Sequence, residues 1–161
     1  MPKIVIGVMG AGEHATPEDL TRAYELGRQI ARSGWVTLSG GRDVGVMDAV
    51  SRGAKRENGL TIGILPRQNS SMSDAIDIPI ITDLGNARNN VNVLSSQVVV
   101  ACGMGAGTAS EVALAIKARK TVILLNVDRV SQQFFQQLSQ DVIVVEDVEQ
   151  AIRVINQRIA V

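Results

Sequence analysis

The chain has 161 residues, 45% of them hydrophobic, which suffices for one domain with a buried core that needs no staples. Sixteen Lys and Arg balance 16 Asp and Glu, and only 2% of residues are aromatic, which argues against nucleic-acid binding by bulk charge or stacking and against a charged membrane surface. A single cysteine excludes an internal disulfide or an all-cysteine metal site, and with no signal peptide or bilayer-length apolar run the expected address is the cytoplasm.

Short β-branched runs alternate with amphipathic stretches along the chain. Lys3 to Met9 reads as a buried strand. Thr16-Pro17-Glu18-Asp19 opens a helix with a hydroxyl cap, a first-turn proline and two acids at the positive end of the dipole. Leu20, Ala23, Tyr24, Gly27, Ile30 and Ala31 repeat at helical spacing up to a stop at Gly34. Val36 to Leu38 is a short strand, the loop Ser39 to Gly45 follows, and Val46 to Asn58 reads as a helix closed by Gly59.

Thr61 to Leu65 is a strand, and the polar, aperiodic stretch Pro66 to Ala75 is long enough to serve as a lid. In the strand Ile78 to Ile81, Pro79 requires an edge or a bulge. Asn86 can cap a helix running to about Ser95, and Gln97 to Cys102 is the most hydrophobic strand of the chain. It enters Gly103-Met104-Gly105-Ala106-Gly107, followed by a helix from Thr108 to about Ala118. Thr121 to Leu125 and Val142 to Val145 are strands flanking a helix around Phe134, and a last helix carries Val148, Ile152, Ile155 and Ile159. Repeated strand–loop–helix units imply right-handed crossovers and a parallel sheet covered on both faces. The predicted fold is therefore α/β, one doubly wound, Rossmann-like domain over residues 1–161.

In such sheets ligands sit at the carboxyl ends of strands, where loops feed helix N-termini. Three glycine-bearing loops occupy these ends: Gly7 to Gly12, Ser39-Gly40-Gly41, and Gly103 to Thr108. Glycine lets backbone N–H groups close on an anion, and the following helix adds its dipole. The same glycines also permit tight strand-to-helix turns, so the loops admit both readings. Gly10-Ala11-Gly12 runs into Glu13-His14-Ala15, which departs from a dinucleotide fingerprint, and the chain has no Walker-type lysine loop or hydrolase elbow.

Two groups of residues carry a resemblance. One is Ser39-Gly40-Gly41 with Gly45-Val46-Met47-Asp48-Ala49-Val50. The other is Ala87-Arg88-Asn89-Asn90 with Gly103-Met104-Gly105-Ala106-Gly107-Thr108-Ala109-Ser110-Glu111. In this order they resemble the superfamily of the LONELY GUY cytokinin-activating phosphoribohydrolases, many members of which are mislabelled lysine decarboxylases. Within it the pattern is closer to the molybdenum cofactor carrier branch. That branch implies binding, protection and transfer of a phosphate-bearing pterin, with Gly10, Gly12, Ser39, Gly40, Gly41, Arg88, Gly103, Met104, Gly105, Ala106, Gly107, Thr108 and Glu111 at the ligand and molybdoenzymes receiving it. The phosphoribohydrolase branch instead implies hydrolysis of a nucleoside 5′-monophosphate, with Arg88 and Glu111 at the ribose–base bond. Here Asn89 stands where that branch has lysine and Met104 where it has glycine. Arg42 and Arg67 are further candidates for neutralising an anion.

Local structure offers other roles for some of these residues. Thr108-Ala109-Ser110-Glu111 fits a capping box as well as a ligand-facing glutamate. Cys102 reads as a small buried hydrophobe and His14 as an exposed loop residue. Val112 to Ile116 is apolar on every side, which calls for full burial or a partner subunit; a homodimer or homotetramer is expected.

Overall fold

The computed structural model describes residues 1–160. Seven strands, β1 (Val5–Gly10), β2 (Val36–Ser39), β3 (Thr61–Leu65), β4 (Ile78–Ile81), β5 (Val98–Cys102), β6 (Thr121–Leu125) and β7 (Val142–Val145), form one sheet in the order β4-β3-β2-β1-β5-β6-β7. Every neighbouring pair is parallel. The six helices are α1 (Pro17–Arg32), α2 (Gly45–Arg56), α3 (Arg88–Leu94), α4 (Ala106–Lys117), α5 (Arg129–Leu138) and α6 (Val148–Ile159). This is the doubly wound α/β architecture expected from the sequence. No helix among the described residues is long and apolar enough to cross a membrane.

Each sheet face buries its own apolar layer. Ile6, Val8, Val100, Ile123 and Leu125 point into a layer completed by α1, α2 and α6 through Leu26, Ile30, Val50 and Ile155. Met9, Leu38, Ile64, Val99 and Leu124 point the other way, onto Val93 of α3, Val112 and Ala115 of α4, and Phe135 of α5. The strands therefore carry apolar residues on both faces, as a sheet covered on both sides requires. β4 lies at the sheet edge, where Pro79 has no ladder bond to break, and its Ile78, Ile80 and Ile81 are exposed.

Helices α1 and α2 pack through backbone at reciprocal glycines. A Cβ on Gly27 would strike the Val50 carbonyl oxygen, and one on Gly53 would strike the Tyr24 carbonyl oxygen. Only hydrogen side chains allow this approach, which fixes the two helices as a pair.

Several boundaries differ from the sequence reading: β2 extends to Ser39, α2 spans Gly45–Arg56 rather than Val46 to Asn58, β5 begins at Val98, and two further shifts bear on the site. β1 begins at Val5 rather than Lys3 and includes Gly10, because its ladder to β5 runs through Gly10↔Cys102. Helix α4 begins at Ala106, ahead of Thr108, with Gly105 as its extended N-cap at φ −155°. The expected capping box from Thr108 to Glu111 is therefore absent: Thr108 already lies inside the first turn, and Glu111 bonds elsewhere. Asn86 likewise does not cap α3; it sits in a 3-10 turn, Gly85–Ala87, that runs directly into the helix.

Candidate functional site

The chain runs outward from β1 through β2 and β3 to the β4 edge, then returns to β5 on the other side of β1. The loops leaving β1 and β5 diverge at this reversal, the place where open α/β sheets leave a crevice. A cleft of about 750 Å³ opens there. Its floor is Gly10 to His14, and its opposite wall is Gly103 to Thr108, the loop entering α4.

Asp19 holds these loops together. Thr16 and Asp19 form a reciprocal capping box at the start of α1. The Asp19 carboxylate also accepts from Asn126 Nδ2 at 2.7 Å, and the Cys102 thiol donates to the Asp19 carbonyl at 3.4 Å. Gly103 passes so close, at φ +74°, that a Cβ would lie 2.7 Å from the carboxylate. Burial pushes the Cys102 thiol up to about 12, so it stays protonated and serves as packing.

The first turn of α4 faces the cleft without a side-chain cap, whereas α1, α5 and α6 are capped by Thr16, Asp128 and Asp147. The N–H groups of Ala106, Gly107 and Thr108 have no intrahelical partner, as in any first turn. A Cβ built on Gly105 or Gly107 would meet no atom within 4 Å, so open space lies over these amides. These glycines are not required by any neighbour; what they provide is unobstructed access to the positive end of the helix.

Beyond this turn a smaller pocket of about 120 Å³ penetrates toward the sheet. Gly10, Gly107 and Thr108 are shared by both spaces; Gly40, Arg88, Asn92 and Glu111 line only the inner one. Arg88 is 8% exposed, and its Nε donates to the Ile64 carbonyl at 2.8 Å. Among the described residues its guanidinium forms no salt bridge, and burial pulls its pKa down, partly offset by the charge of Glu111. Gly40 leaves room for both side chains here, since a Cβ would lie 2.9 Å from an Arg88 terminal nitrogen and 2.7 Å from Met47 Sδ.

Glu111 is buried, and its Oε2 accepts from Asn92 Nδ2 at 3.0 Å. Desolvation raises its pKa to about 7, against the lowering effects of Asn92 and Arg88. Asn92 is 1% exposed, and among the described residues its Oδ1 has no hydrogen-bond partner.

The anticipated residues thus divide. Gly10, Gly12, Met104, Gly105, Ala106, Gly107 and Thr108 line the wide cleft together with Gly103, and Gly40, Arg88 and Glu111 line the inner pocket. Ser39 and Gly41 line neither. Ser39 Oγ accepts from the Gly41 N–H at 3.1 Å, and Gly41, at φ +78°, packs on Gly63, so both shape the turn that presents Gly40. Arg42 pairs with Glu13 at 3.1 Å and, with Arg67 and Arg88, lines a further recess. His14 is exposed at the rim of the wide cleft. The segment Pro66 to Ala75 is pinned near its end, where buried Ser73 donates to Asp48 Oδ1 at 2.6 Å and to the Gly41 carbonyl at 3.0 Å. Asn92 was not singled out from the sequence, although it follows Arg88 by four residues and so shares its helix face.

The chain is similar over most of its length to known proteins. The structure of the molybdenum cofactor binding protein from the phototrophic bacterium Rippkaea orientalis is 59% identical, with a TM-score of 0.97 and 99% of each chain covered. The molybdenum cofactor carrier protein of Chlamydomonas reinhardtii is 50% identical, with a TM-score of 0.96 over 99% of this chain and 100% of that one. A protein from Archaeoglobus fulgidus is 45% identical over 125 residues, covering 78% of this chain and 82% of its own. The model of the SLOG cluster4 family matches residues 3–152, and the chain belongs to that family.

Proposed function

We infer that this protein binds molybdenum cofactor, shelters it and hands it on, as a carrier. The observation that carries the reading is the uncapped first turn of α4, whose amides face a 750 Å³ cleft across glycines that leave the space above them clear. A terminal phosphate suits that turn, since it accepts from several N–H groups while the helix dipole favours its charge. Arg88, a buried cation with no salt bridge among the described residues, adds a fork for oxygen acceptors. The structural relatives at 50% and 59% identity are a carrier and a binding protein for this ligand.

The test is transfer. Protein loaded with the cofactor should reactivate an apo-molybdoenzyme, and Gly107→Glu, which puts a carboxylate into the anion's space, should abolish loading. Failure of the wild type to take up or release the cofactor refutes the reading.

One observation favours hydrolysis as a second reading: Arg88 and Glu111 line the same pocket, and a carboxyl group titrating near 7 suits acid–base work. Incubation with AMP decides it. Free adenine, lost in Glu111→Ala, establishes the enzyme, and its absence leaves the carrier.

We read residues 1–161 as one domain acting in the cytoplasm, without nucleic-acid partners. We also propose a homo-oligomer formed through the layer of α3, α4 and α5. Leu94, Val130, Phe134 and Leu138 are 54–77% exposed on those helices, and the α4 residue Ala113 is exposed beside them. Light scattering should return a dimer or tetramer, with Phe134→Glu shifting it to monomer; a monomeric wild type refutes the assembly.

A further inference from the structure

The inner pocket has a polarity that an anion site does not need. An oxyanion calls for donors, yet this pocket is lined by two buried side chains with acceptor oxygens, Glu111 and Asn92, and among the described residues the Asn92 Oδ1 has no partner. An orphaned buried acceptor of this kind leaves a hydrogen bond unmade unless a ligand supplies the donor. The same pocket holds donors in the Arg88 fork and the Thr108 hydroxyl. Its volume of about 120 Å³ admits one heterocyclic ring and not a whole cofactor. On the carrier reading the phosphate lies on the other side of the Gly107–Thr108 turn, in the wide cleft lined by Gly103 to Thr108.

We propose that this pocket reads the edge of a 2-amino-4-oxopyrimidine ring, with Glu111 and Asn92 Oδ1 accepting from the 2-amino and ring N–H groups and Arg88 donating to the 4-oxo oxygen. The inference rests on the carrier reading and specifies how the ligand lies: ring inward between α3 and α4, phosphate outward on the α4 amides. Pterins carry this edge, and so do guanine nucleotides; adenine nucleotides do not. Glu111 thus acts as a specificity residue. Burial disfavours its ionised form, and two donors from the ring favour it again, so the correct ring restores what the fold withholds. Asn92 ties the two acceptors into one unit through its bond to Glu111.

The experiment compares pterin-6-carboxylate with lumazine-6-carboxylate, which differs by a 2-oxo group in place of the 2-amino group, by fluorescence titration of the full chain. GMP and AMP form a second pair measured by competition. The pterin should bind at least about tenfold more tightly than the lumazine, since the wrong edge leaves buried acceptors unpaired. GMP should outcompete AMP in the same sense, and a GMP affinity above that of the pterin identifies guanine as the ring read. Glu111→Gln, of the same shape, should reduce both preferences to within about threefold. A thermal melt confirms that the variant folds. Equal binding of pterin and lumazine, no binding of either, or a preference that survives Glu111→Gln overturns the proposal. If any of these occurs while cofactor transfer still works, the carrier reading stands and only the ring assignment falls.

Discussion

Glu111→Gln makes the most direct test of the inner pocket's energetics, because the two side chains have the same shape and differ in one titration. A carboxyl group with a folded-state pKa of about 7, raised from 4.5, holds its proton more tightly in the folded chain. The sign follows from linkage: stability is complete below pH 4.5, falls as pH rises towards 7 because the unfolded chain ionises first, and is level above that. At about 1.4 kcal/mol per pKa step, the wild type loses roughly 3 kcal/mol by pH 8 and under about 1 kcal/mol at pH 5. Glutamine has no such loss. The variant should therefore be close to wild type at pH 5 and more stable by about 3 kcal/mol at pH 8, which for a chain of this length raises Tm by roughly 6–12 °C. Urea denaturation of both proteins at the two pH values measures the difference directly. The comparison cancels the other carboxylates, among them Asp77, whose pKa the Lys55 and Thr61 bonds hold down. A variant no more stable at pH 8 than at pH 5, relative to wild type, refutes the claim that Glu111 is a buried, strained carboxylate. Stability gained together with ring selectivity lost is the expected signature of a site residue.

Three further outcomes are expected. Gly107→Ala lies inside the α4 helix with open space at its Cβ, so it should stabilise the fold by about 0.5 kcal/mol by thermal melt while weakening cofactor loading; unchanged loading places the phosphate elsewhere. Gly53→Ala drives a methyl into the Tyr24 carbonyl and should destabilise by about 2–3 kcal/mol or more in urea, and a cost below about 1 kcal/mol contradicts the close α1–α2 crossing. Cys102, with its thiol pushed up to about 12 and fully buried, should resist iodoacetamide at pH 8 and react on unfolding; labelling of the native chain refutes its packing role.

The fold was legible because its signals are local. β-branched runs such as Val98 to Val100, the Thr16–Asp19 cap and glycines at strand ends each mark an element, and crossover handedness then orders the sheet. The wide cleft was legible for the same reason, its walls being two of the glycine loops placed side by side by the β1–β5 pairing. The inner pocket was only half legible. Thr108 and Glu111 have the spacing of a capping box, but the helix starts ahead of them, and Glu111 is drawn to Asn92 on a different helix, a contact between residues 19 apart that no local pattern encodes. Ser39 and Gly41 belong to a glycine loop by composition, yet only tertiary packing decides that Gly40 alone faces the pocket. The orphaned Asn92 oxygen depends on what every surrounding group leaves unpaired, which is a property of the assembled interior.

The cleft draws its two sides from segments that meet only through the β1–β5 pairing, one near residue 10 and the other near residue 105. No short fragment of the chain holds both, so a ligand seated there grips the chain only once β1 and β5 have paired. Occupancy therefore subtracts from the population open to proteases and leaves the unfolded chain untouched. On the carrier reading a loaded molecule should outlast an empty one in a cell extract, and the half-life of the protein would then gauge how much cargo is waiting for delivery.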